Sequence, residues 1–260
     1  MNRQHIHFSK LANFREVGGL NTEEGKLLKP GMIFRSANLS RLTKDDIHTF
    51  SQLGIQLICD LRTASERKSH PSKMQHDDKV KLMHISMQPD SKIPSKFSMF
   101  RMLTTQAKSL SFIPIMKDMY ASMVNERHKE IQQFFNLLSD ERHYPVLIHC
   151  TSGKDRTGFL SALVQLLVGV PKNKVLSQYM LSNDGVKILI KQQERLIRMM
   201  SLYRVSKLQT KPLLEVQQDY LEDALNQIID TYGTVEQFLI EACHIPKEQI
   251  EKIKDILLKP

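Results

Sequence analysis

The sequence predicts an α/β fold, with a central, parallel-dominated sheet flanked by helices and a helical C-terminal section. Short apolar runs alternate with segments of helical period, which is typical of βα units. One of these units, residues 146–164, has the pattern of an apolar strand, a Gly-containing loop and a buried helix. The 260 residues are enough for one large core, and no flexible linker divides them, so we expect a single domain over residues 1–260.

The elements follow from the hydrophobic period and from Gly, Pro and capping residues. An N-terminal arm extends through Gly19, and a helix over 43–53 should be capped by Thr43 and ended by Gly54. A longer helix is expected over 120–138. The predicted strands are 32–35, 55–59, 81–87 and Val146–His149. Beyond the helix that follows the loop, the chain should be wholly helical, with turns near 169–171, 183–185, 211–212, 233–234 and 245–246.

The loop between residues 150 and 156 has the properties of an anion site. Its strand-to-helix bend can turn backbone N–H groups inward around a tetrahedral oxyanion, and the following helix adds the positive end of its dipole. Gly153 can adopt a positive φ in this bend, and Gly158 lets the helix pack close against the sheet. Thr151 and Ser152 are expected to contribute backbone N–H groups.

The side chains of this loop suit nucleophilic chemistry. A helix N-terminus and a nearby cation favour the thiolate form of cysteine, so Cys150 is expected to be an ionised nucleophile. Arg156 can hold two phosphate oxygens at once with its planar guanidinium. Thr157 could donate its hydroxyl to the thiolate, and His149 could orient Cys150. A merely structural loop is the alternative, but it would not need a nucleophile, an arginine and a hydroxyl together.

The run His149-Cys150-x-x-Gly153-x-x-Arg156-Thr157-Gly158 resembles the signature of the protein-tyrosine phosphatase superfamily. The two residues Lys154-Asp155 inside this run are similar to those of the atypical bacterial branch of the superfamily. The resemblance implies the cysteine phosphatase fold, a phosphocysteine intermediate, and activity on phosphotyrosine and often on phosphoinositides. Other segments resemble landmarks of the branch in the expected order, namely 13–19, 34–36, 60–63 with Glu66, and 232–239.

Three functions follow as hypotheses. The first is a cysteine-dependent protein phosphatase of tyrosine or dual specificity. The second is a phosphoinositide phosphatase with the same chemistry. The third is a noncatalytic phosphate-binding module, against which the joint presence of Cys150 and Arg156 argues. The proposed in-line attack by Cys150 needs no cofactor.

Three aspartates compete for the role of general acid, because the chain has no tryptophan and so lacks the usual Trp-Pro loop of the superfamily. The resemblance to the atypical branch favours Asp155, whose carboxyl would lie near the departing oxygen without any loop closure. Asp60 ends a predicted strand and could be a second acid or could orient Arg62. Asp90 follows another predicted strand and is the third candidate. Each of them could instead be a cap or an ion-pair partner.

Lys154 has two interpretations. It could neutralise Asp155, or it could contact a second phosphate on a polyanionic lipid headgroup, as the resemblance to lipid phosphatases implies. The predicted phosphate-binding residues are Thr151, Ser152, Gly153, Lys154, Thr157 and Gly158.

Composition favours anionic partners. The formal charge is +9 and the pI is about 9.4, which suits phosphotyrosine proteins, phosphoinositides or an anionic membrane surface. Basic residues are not interleaved with aromatic ones, so nucleic acid is not expected. The ten histidines are scattered without the spacing of metal ligands, so no metal is expected.

The cysteines and the first residues bear on localisation. Three cysteines, Cys59, Cys150 and Cys243, do not form a secreted disulfide framework, and a reducing compartment would protect a reactive thiolate. Cys59 could still trap oxidised Cys150 as a disulfide. Residues 1–7 contain no apolar signal region, so a cytoplasmic location is expected. Export without a classical signal, as the resemblance to some members of the branch implies, is the alternative.

Two further regions could shape specificity. Residues 91–119 form an apolar, Met-rich insertion that could be a lid over the site or a helical hairpin that completes the core. Spacings of four, four and three align a set of basic residues on one helical face, either as a solvated surface or as a docking site for polyanions or a negatively charged membrane. These residues are Lys187, Lys191, Arg195 and Arg198.

Overall fold

A computed structural model gives the fold of the chain. It describes residues 6, 8–75, 78–88, 96–105 and 110–259, with the backbone alone at 96–99. The acid candidate Asp90 and residues 91–95 and 106–109 of the predicted insertion lie outside the described residues.

The strands in the described residues are β1 Arg15–Glu16, β2 Leu27–Leu28, β3 Ile33–Ser36, β4 Leu57–Asp60, β5 Lys81–His84, β6 Val146–His149 and β7 Leu258–Lys259. In this part of the chain the main sheet has five strands, in the order β1-β3-β6-β4-β5. Of these, β3, β6, β4 and β5 are parallel, and β1 is antiparallel to β3. β2 and β7 form a separate antiparallel pair. The predicted parallel-dominated α/β sheet is therefore confirmed.

Helices cover the sheet and make up most of the C-terminal section. The first group, up to the helix that follows β6, comprises α1 Lys44–Gln52, α2 Ala64–Ser69, α3 Lys96–Thr105, α4 Ile113–Glu126, α5 His128–Leu138 and α6 Asp155–Leu167. The second group comprises α7 Lys172–Met180, α8 Ser182–Gly185, α9 Lys187–Met200, α10 Lys207–Leu214, α11 Gln218–Tyr232, α12 Val235–Glu241 and α13 Lys247–Leu257.

α1 begins and ends where the sequence predicts. The Thr43 side chain accepts a hydrogen bond from the Asp46 N–H, and the Asp46 carboxylate accepts one from the Thr43 N–H, which is a complete capping box. Gly54, two residues past the helix, has a φ of +67°. This left-handed conformation stops the helix at little cost only because the residue is glycine.

The predicted helix over 120–138 is wrong in one respect, because it is two helices with a break at Arg127. Arg127 has φ −115° and ψ 27°, outside the helical range. Both helices bury their apolar residues in the same core, Tyr120 and Val124 from α4 and Ile131 from α5. The hydrophobic period therefore continues across the break and does not reveal it.

The C-terminal section differs from the prediction at three points. The chain is not wholly helical, because β7 ends it by pairing with β2. Residues 183–185 lie in the short helix α8 instead of a turn. Pro212 lies inside α10, where it removes only the hydrogen bond to the carbonyl of Leu208, a residue at the surface.

Two hydrophobic clusters lie on opposite faces of the sheet. Side chains alternate along β6, so Val146 and Ile148 join the large cluster with α4, α5, α6 and α11, while Leu147 joins a smaller cluster with Phe34 and Phe50. α6 is buried along nearly its whole length. This burial fixes the loop between β6 and α6 at the carboxyl edge of the sheet, where ligands of open α/β sheets bind.

Candidate active site

Close packing fixes the backbone of the predicted anion loop. Gly153 has a φ of +67°, and a Cβ at this residue would lie 2.2 Å from the carbonyl oxygen of Ser36, so the predicted need for glycine is confirmed. A Cβ on Gly158 would lie 2.8 Å from the ring of Tyr179 and 3.3 Å from Nη2 of Arg35. Gly158 therefore permits close packing against α7 and against a side chain of β3.

Side chains from three segments hold the loop carbonyls from outside. Asn13 donates through Nδ2 to the carbonyls of Gly153 at 2.7 Å and Ser152 at 3.3 Å. Arg35 donates through Nη2 to the same Gly153 carbonyl at 2.8 Å. Asn38 donates to the carbonyl of Thr151 at 2.9 Å. In a trans peptide the N–H points opposite to the C=O, so these bonds turn the loop N–H groups toward the inside.

Cys150 lies at the inside of this loop with its side chain almost fully buried. Its Sγ accepts a hydrogen bond from the Gly153 N–H at 3.2 Å. The predicted hydrogen bond from Thr157 is not formed, because Thr157 Oγ1 is buried without a hydrogen-bond partner among the described residues. His149 Nδ1 lies 3.3 Å from the carbonyl oxygen of Cys150, and so contacts its backbone. Burial lowers the pKa of His149, which favours the neutral imidazole.

Glu66, at the start of α2, fixes the position of Arg156. Arg156 donates to Glu66 through Nη1 at 2.6 Å and through Nη2 at 2.7 Å, and through Nη2 to Thr151 Oγ1 at 3.2 Å. Thr151 also donates to Glu66. These three bonds of Arg156 leave two of its five N–H donors for a ligand. The guanidinium of Arg156 is therefore held in position without a substrate.

Glu66 and Arg156 each stabilise the charged form of the other. Burial opposes ionisation of Glu66, but hydrogen bonds from Arg156 outweigh it and lower the pKa of Glu66 to about 2. The same contacts raise the pKa of Arg156 in spite of its burial. Glu66 is also the third residue of a capping box with Thr63, whose N–H donates to Oε2 at 2.9 Å. One carboxylate therefore starts a helix and holds the loop arginine.

Asp155 is held by a lysine and a tyrosine. Lys154 Nζ lies 2.8 Å from Oδ2 of Asp155, and Tyr120 donates through its hydroxyl to Oδ1 at 3.2 Å. Tyr179 shares a 2.6 Å hydrogen bond with the Tyr120 hydroxyl. Burial raises the pKa of both tyrosines well above the ordinary value, so both stay protonated. Lys154 also donates to the carbonyl of Leu213 at 3.0 Å, which connects the loop to α10.

Asp60 forms a buried, bidentate ion pair with Arg62. Arg62 donates through Nε to Oδ1 at 2.9 Å and through Nη2 to Oδ2 at 2.7 Å, and both side chains are almost fully buried. Burial opposes ionisation of Asp60, but the hydrogen bonds and the positive charge of Arg62 lower its pKa overall. In the structure Asp60 is therefore the ion-pair partner of Arg62.

Besides Cys150 the chain has two cysteines. Cys59 and Cys243 are free, buried thiols, and burial raises the pKa of each. Within the described ranges no group of three or more His, Cys, Asp or Glu side chains could hold a metal ion. In the same ranges no helix combines the length and the apolar character that crossing a bilayer requires.

Several residues of the site had no role in the prediction. Asn13, Arg35 and Glu66 lie in segments that the resemblance marked, but sequence alone did not reveal their contacts with the loop. For Asn38, Tyr120 and Tyr179 the sequence indicated no more than a position in a turn or a helix. The separation between Glu66 and Arg156 is 90 residues, and only the fold brings them together.

Comparisons with known proteins identify the family of this chain. The model of a family described as the tyrosine phosphatase family matches residues 6–259. The triple specificity protein phosphatase PtpB of Mycobacterium tuberculosis is 29% identical, over 95% of this chain and 96% of that protein. A tyrosine-protein phosphatase of Nostoc commune is 32% identical, over 57% of this chain and 47% of its own length. The solved core catalytic domain of the PP-IP phosphatase SIW14 from S. cerevisiae aligns with 85% of this chain and 93% of its own, at 16% identity and a TM-score of 0.37.

The family match extends over almost the entire chain and includes every residue of the loop. This chain therefore belongs to the tyrosine phosphatase family and is a phosphatase.

Proposed function

We propose that this phosphatase hydrolyses phosphotyrosine through a phosphocysteine intermediate on Cys150. The observation that carries the proposal is that one loop contains both Cys150 and Arg156. The buried Cys150 thiol accepts a hydrogen bond from the Gly153 N–H. Glu66 fixes the position of the Arg156 guanidinium through two hydrogen bonds. Loop N–H groups and Arg156 would stabilise the charge on the transferring phosphoryl group.

The reaction has two steps. In the first, the Cys150 thiolate attacks phosphorus in line, the S–P bond forms, and the bond to the tyrosine oxygen breaks. Asp155, in its protonated form, gives its proton to that oxygen. In the second, water attacks phosphorus, Asp155 takes back a proton from the water, and the S–P bond breaks to release inorganic phosphate and the thiolate.

A phosphoinositide is the second candidate substrate, and Lys154 favours it. Its ammonium group is 2.8 Å from Asp155, in the loop next to the reacting centre. A second phosphate on the substrate would offer Lys154 another anionic partner. The relative named a triple specificity phosphatase also agrees with a broad substrate range.

Two variants test the chemistry. Cys150→Ser should lose turnover in the presence of EDTA while keeping affinity for phosphotyrosine peptide, because the hydroxyl is a far weaker nucleophile at neutral pH. Asp155→Asn should slow hydrolysis of a phosphate ester with a poor leaving group much more than one with a good leaving group. Normal turnover by Cys150→Ser would exclude cysteine catalysis, and equal slowing on both esters would exclude Asp155 as the acid.

Substrate class is tested by rates measured side by side. The substrates are a phosphotyrosine peptide, a phosphoserine peptide and a short-chain soluble phosphoinositide, each assayed with the wild type and with Lys154→Ala. Faster hydrolysis of phosphotyrosine, with little effect of Lys154→Ala, supports the first proposal. A dominant phosphoinositide activity that depends on Lys154 supports the second.

A further inference from the structure

The segment 187–211 has an unusual surface. Its helix α9 has no buried residue, although it is fourteen residues long. Six large apolar side chains in this segment are between 50% and 78% exposed. Soluble proteins rarely expose so many large apolar side chains so close together in the chain. They are Ile188, Leu196, Met199, Leu202, Tyr203 and Leu208. We call these six residues and the exposed basic residues between them the α9–α10 face.

The same segment is strongly basic. Between residues 187 and 211 the chain has seven Lys or Arg and a single acidic residue, a net charge of 7 − 1 = +6. That acidic residue, Glu194, lies near Arg198 at 3.6 Å and Lys207 at 3.7 Å. Lys187, Lys191 and Arg195 are exposed and have no ion-pair partner within the part of the chain that the structure describes.

Apolar and basic residues occupy neighbouring strips of α9. At about 100° per residue, Ile188, Leu196 and Met199 fall within one strip, and the basic residues Lys191 and Arg195 fall beside it. The opposite side of the helix is already covered, because a satellite core occupies it. That core joins Ile197 and Met200 of α9 to the buried residues Leu103, Phe112 and Val205. The exposed strips are therefore free to meet another surface.

We propose that the α9–α10 face binds the surface of a membrane that contains anionic lipids. A helix with an apolar strip beside Lys and Arg residues lies in the interface of such a bilayer, with the apolar side chains among the acyl chains and the cations at the headgroups. A phosphopeptide would pair with the cations but leave the apolar strip in water. A second copy of this chain would bring two surfaces of charge +6 together, which opposes association.

The α9–α10 face is next to the anion loop, residues 150–156, which we call the phosphate loop from here on. Leu213, at the end of α10, accepts a hydrogen bond from Lys154 Nζ at 3.0 Å. Gln192 of α9 accepts one at 3.5 Å from Arg41, in the segment where Asn38 holds the loop carbonyl of Thr151. Docking through this face would therefore bring the loop close to the lipid headgroups.

Vesicle co-sedimentation of the full chain tests the proposal. The vesicles are pure phosphatidylcholine or phosphatidylcholine with one fifth phosphatidylserine, which is a phosphodiester and so is not a substrate of a phosphomonoesterase. We expect binding only to the anionic vesicles, and weaker binding as salt increases. Lys191→Glu with Arg195→Glu should weaken it more than about tenfold, and Ile188→Ser with Met199→Ser several-fold.

A matched variant controls for net charge. Lys247→Glu with Lys252→Glu makes the same change of charge on exposed residues of α13, and it should leave vesicle binding within about twofold of the wild type. All three double variants should hydrolyse a soluble phosphatase substrate at the wild-type rate, which shows that they fold. Cys150→Ser should bind the vesicles normally, so that a failure of the proposed chemistry is distinguishable from a failure of docking.

Four results would overturn the proposal. The first is no binding of the wild type to anionic vesicles, and the second is equal binding to neutral ones. The third is equal loss of binding in the α9 and α13 charge variants, since the attraction would then be unspecific. The fourth is a wild-type dimer that Ile188→Ser with Met199→Ser converts to a monomer without weakening vesicle binding, because the face would then be a contact between copies.

Discussion

Glu66 determines how Arg156 presents its guanidinium, although it does not contact the reacting atoms. Glu66→Gln keeps the size of the side chain but removes the charge and one acceptor of the bidentate pair. We expect kcat/KM to fall about 10- to 100-fold, because a shift of about 1 Å in a positioning group has an effect of that order. Steady-state kinetics on a phosphotyrosine peptide measure it. Glu130→Gln, a change on α5, breaks an ion pair with Arg127 and should leave kcat/KM unchanged.

The same carboxylate makes stability depend on acidic pH. The pKa of Glu66 is lowered to about 2, against about 4.3 in an unfolded chain, so its stabilising effect is full above pH 4.3. It is lost as the pH falls from about 4.3 to about 2, and it is on the order of 3 kcal/mol. Denaturant unfolding between pH 2 and pH 7 should show a shallower acid loss for Glu66→Gln than for the wild type. Parallel curves would contradict this assignment.

Tyr120 is a positioning residue for Asp155. Tyr120→Phe removes the hydroxyl that donates to Oδ1 and leaves the Tyr179 hydroxyl without its 2.6 Å partner, so we expect about 1–3 kcal/mol of destabilisation. It should also slow hydrolysis of a phosphate ester with a poor leaving group, because one of the donors that hold the Asp155 carboxylate is lost. Tyr220→Phe is the matched control, since the Tyr220 hydroxyl is buried without a hydrogen-bond partner in the described part of the chain. Identical rates for all three proteins would exclude the role of Tyr120.

At the level of residues, the sequence is most informative where the chemistry is local. Cys150, Gly153 and Arg156 lie within seven positions, and their spacing alone predicts a loop around an anion. Glu66 and Tyr120 could not be assigned in this way, because their contacts with the loop depend on how α2 and α4 pack. Thr157 marks the limit of local inference, since its hydroxyl has no hydrogen-bond partner among the described residues.

At the level of elements, the turn between β6 and α6 depends on glycine for two separate reasons. Gly153→Ala would meet both a positive φ and a Ser36 carbonyl oxygen at 2.2 Å, whereas Gly25→Ala would meet only a positive φ, with nothing within 4 Å of its Cβ. We expect Gly25→Ala to cost about 1 kcal/mol of unfolding free energy and Gly153→Ala clearly more, with loss of turnover. Urea unfolding of both variants measures the difference. Equal losses would mean that the loop shifts away from Ser36 without cost.

Element boundaries were predictable where a capping group or a left-handed glycine marks them. α1 has both, with the Thr43 box at its start and Gly54 after its end. The break at Arg127 has neither signal, and the apolar period runs through it because α4 and α5 face one core. β5 ends at His84, three residues short of the predicted 81–87, although Ile85 and Met87 still enter the core and donate to the carbonyls of Asp60 and Leu61.

At the level of the whole molecule, the parallel sheet was predictable from βα alternation, and the position of the insertion was not. The described part of residues 91–119 gives α3 and the start of α4, and α3 packs with α9 and α10 around the satellite core. This arrangement joins segments about a hundred residues apart, which no local pattern encodes. The single domain over residues 1–260 and the cytoplasmic location both stay predictions.

The separation of the satellite core from the main core predicts two levels of stability. Val205→Ala removes two methyl groups from the satellite core, where the Val205 side chain is fully buried. We expect faster amide hydrogen exchange in α3, α9 and α10, while α6 and β6 keep their protection. Val164→Ala makes the same change in α6, within the main core, and should lower the global unfolding free energy by about 1–3 kcal/mol with faster exchange throughout. Hydrogen exchange read by mass spectrometry distinguishes the two. If Val205→Ala speeds exchange in β6 as much as in α9, the satellite core unfolds only with the whole molecule, and α9 and α10 cannot open independently of the phosphate loop.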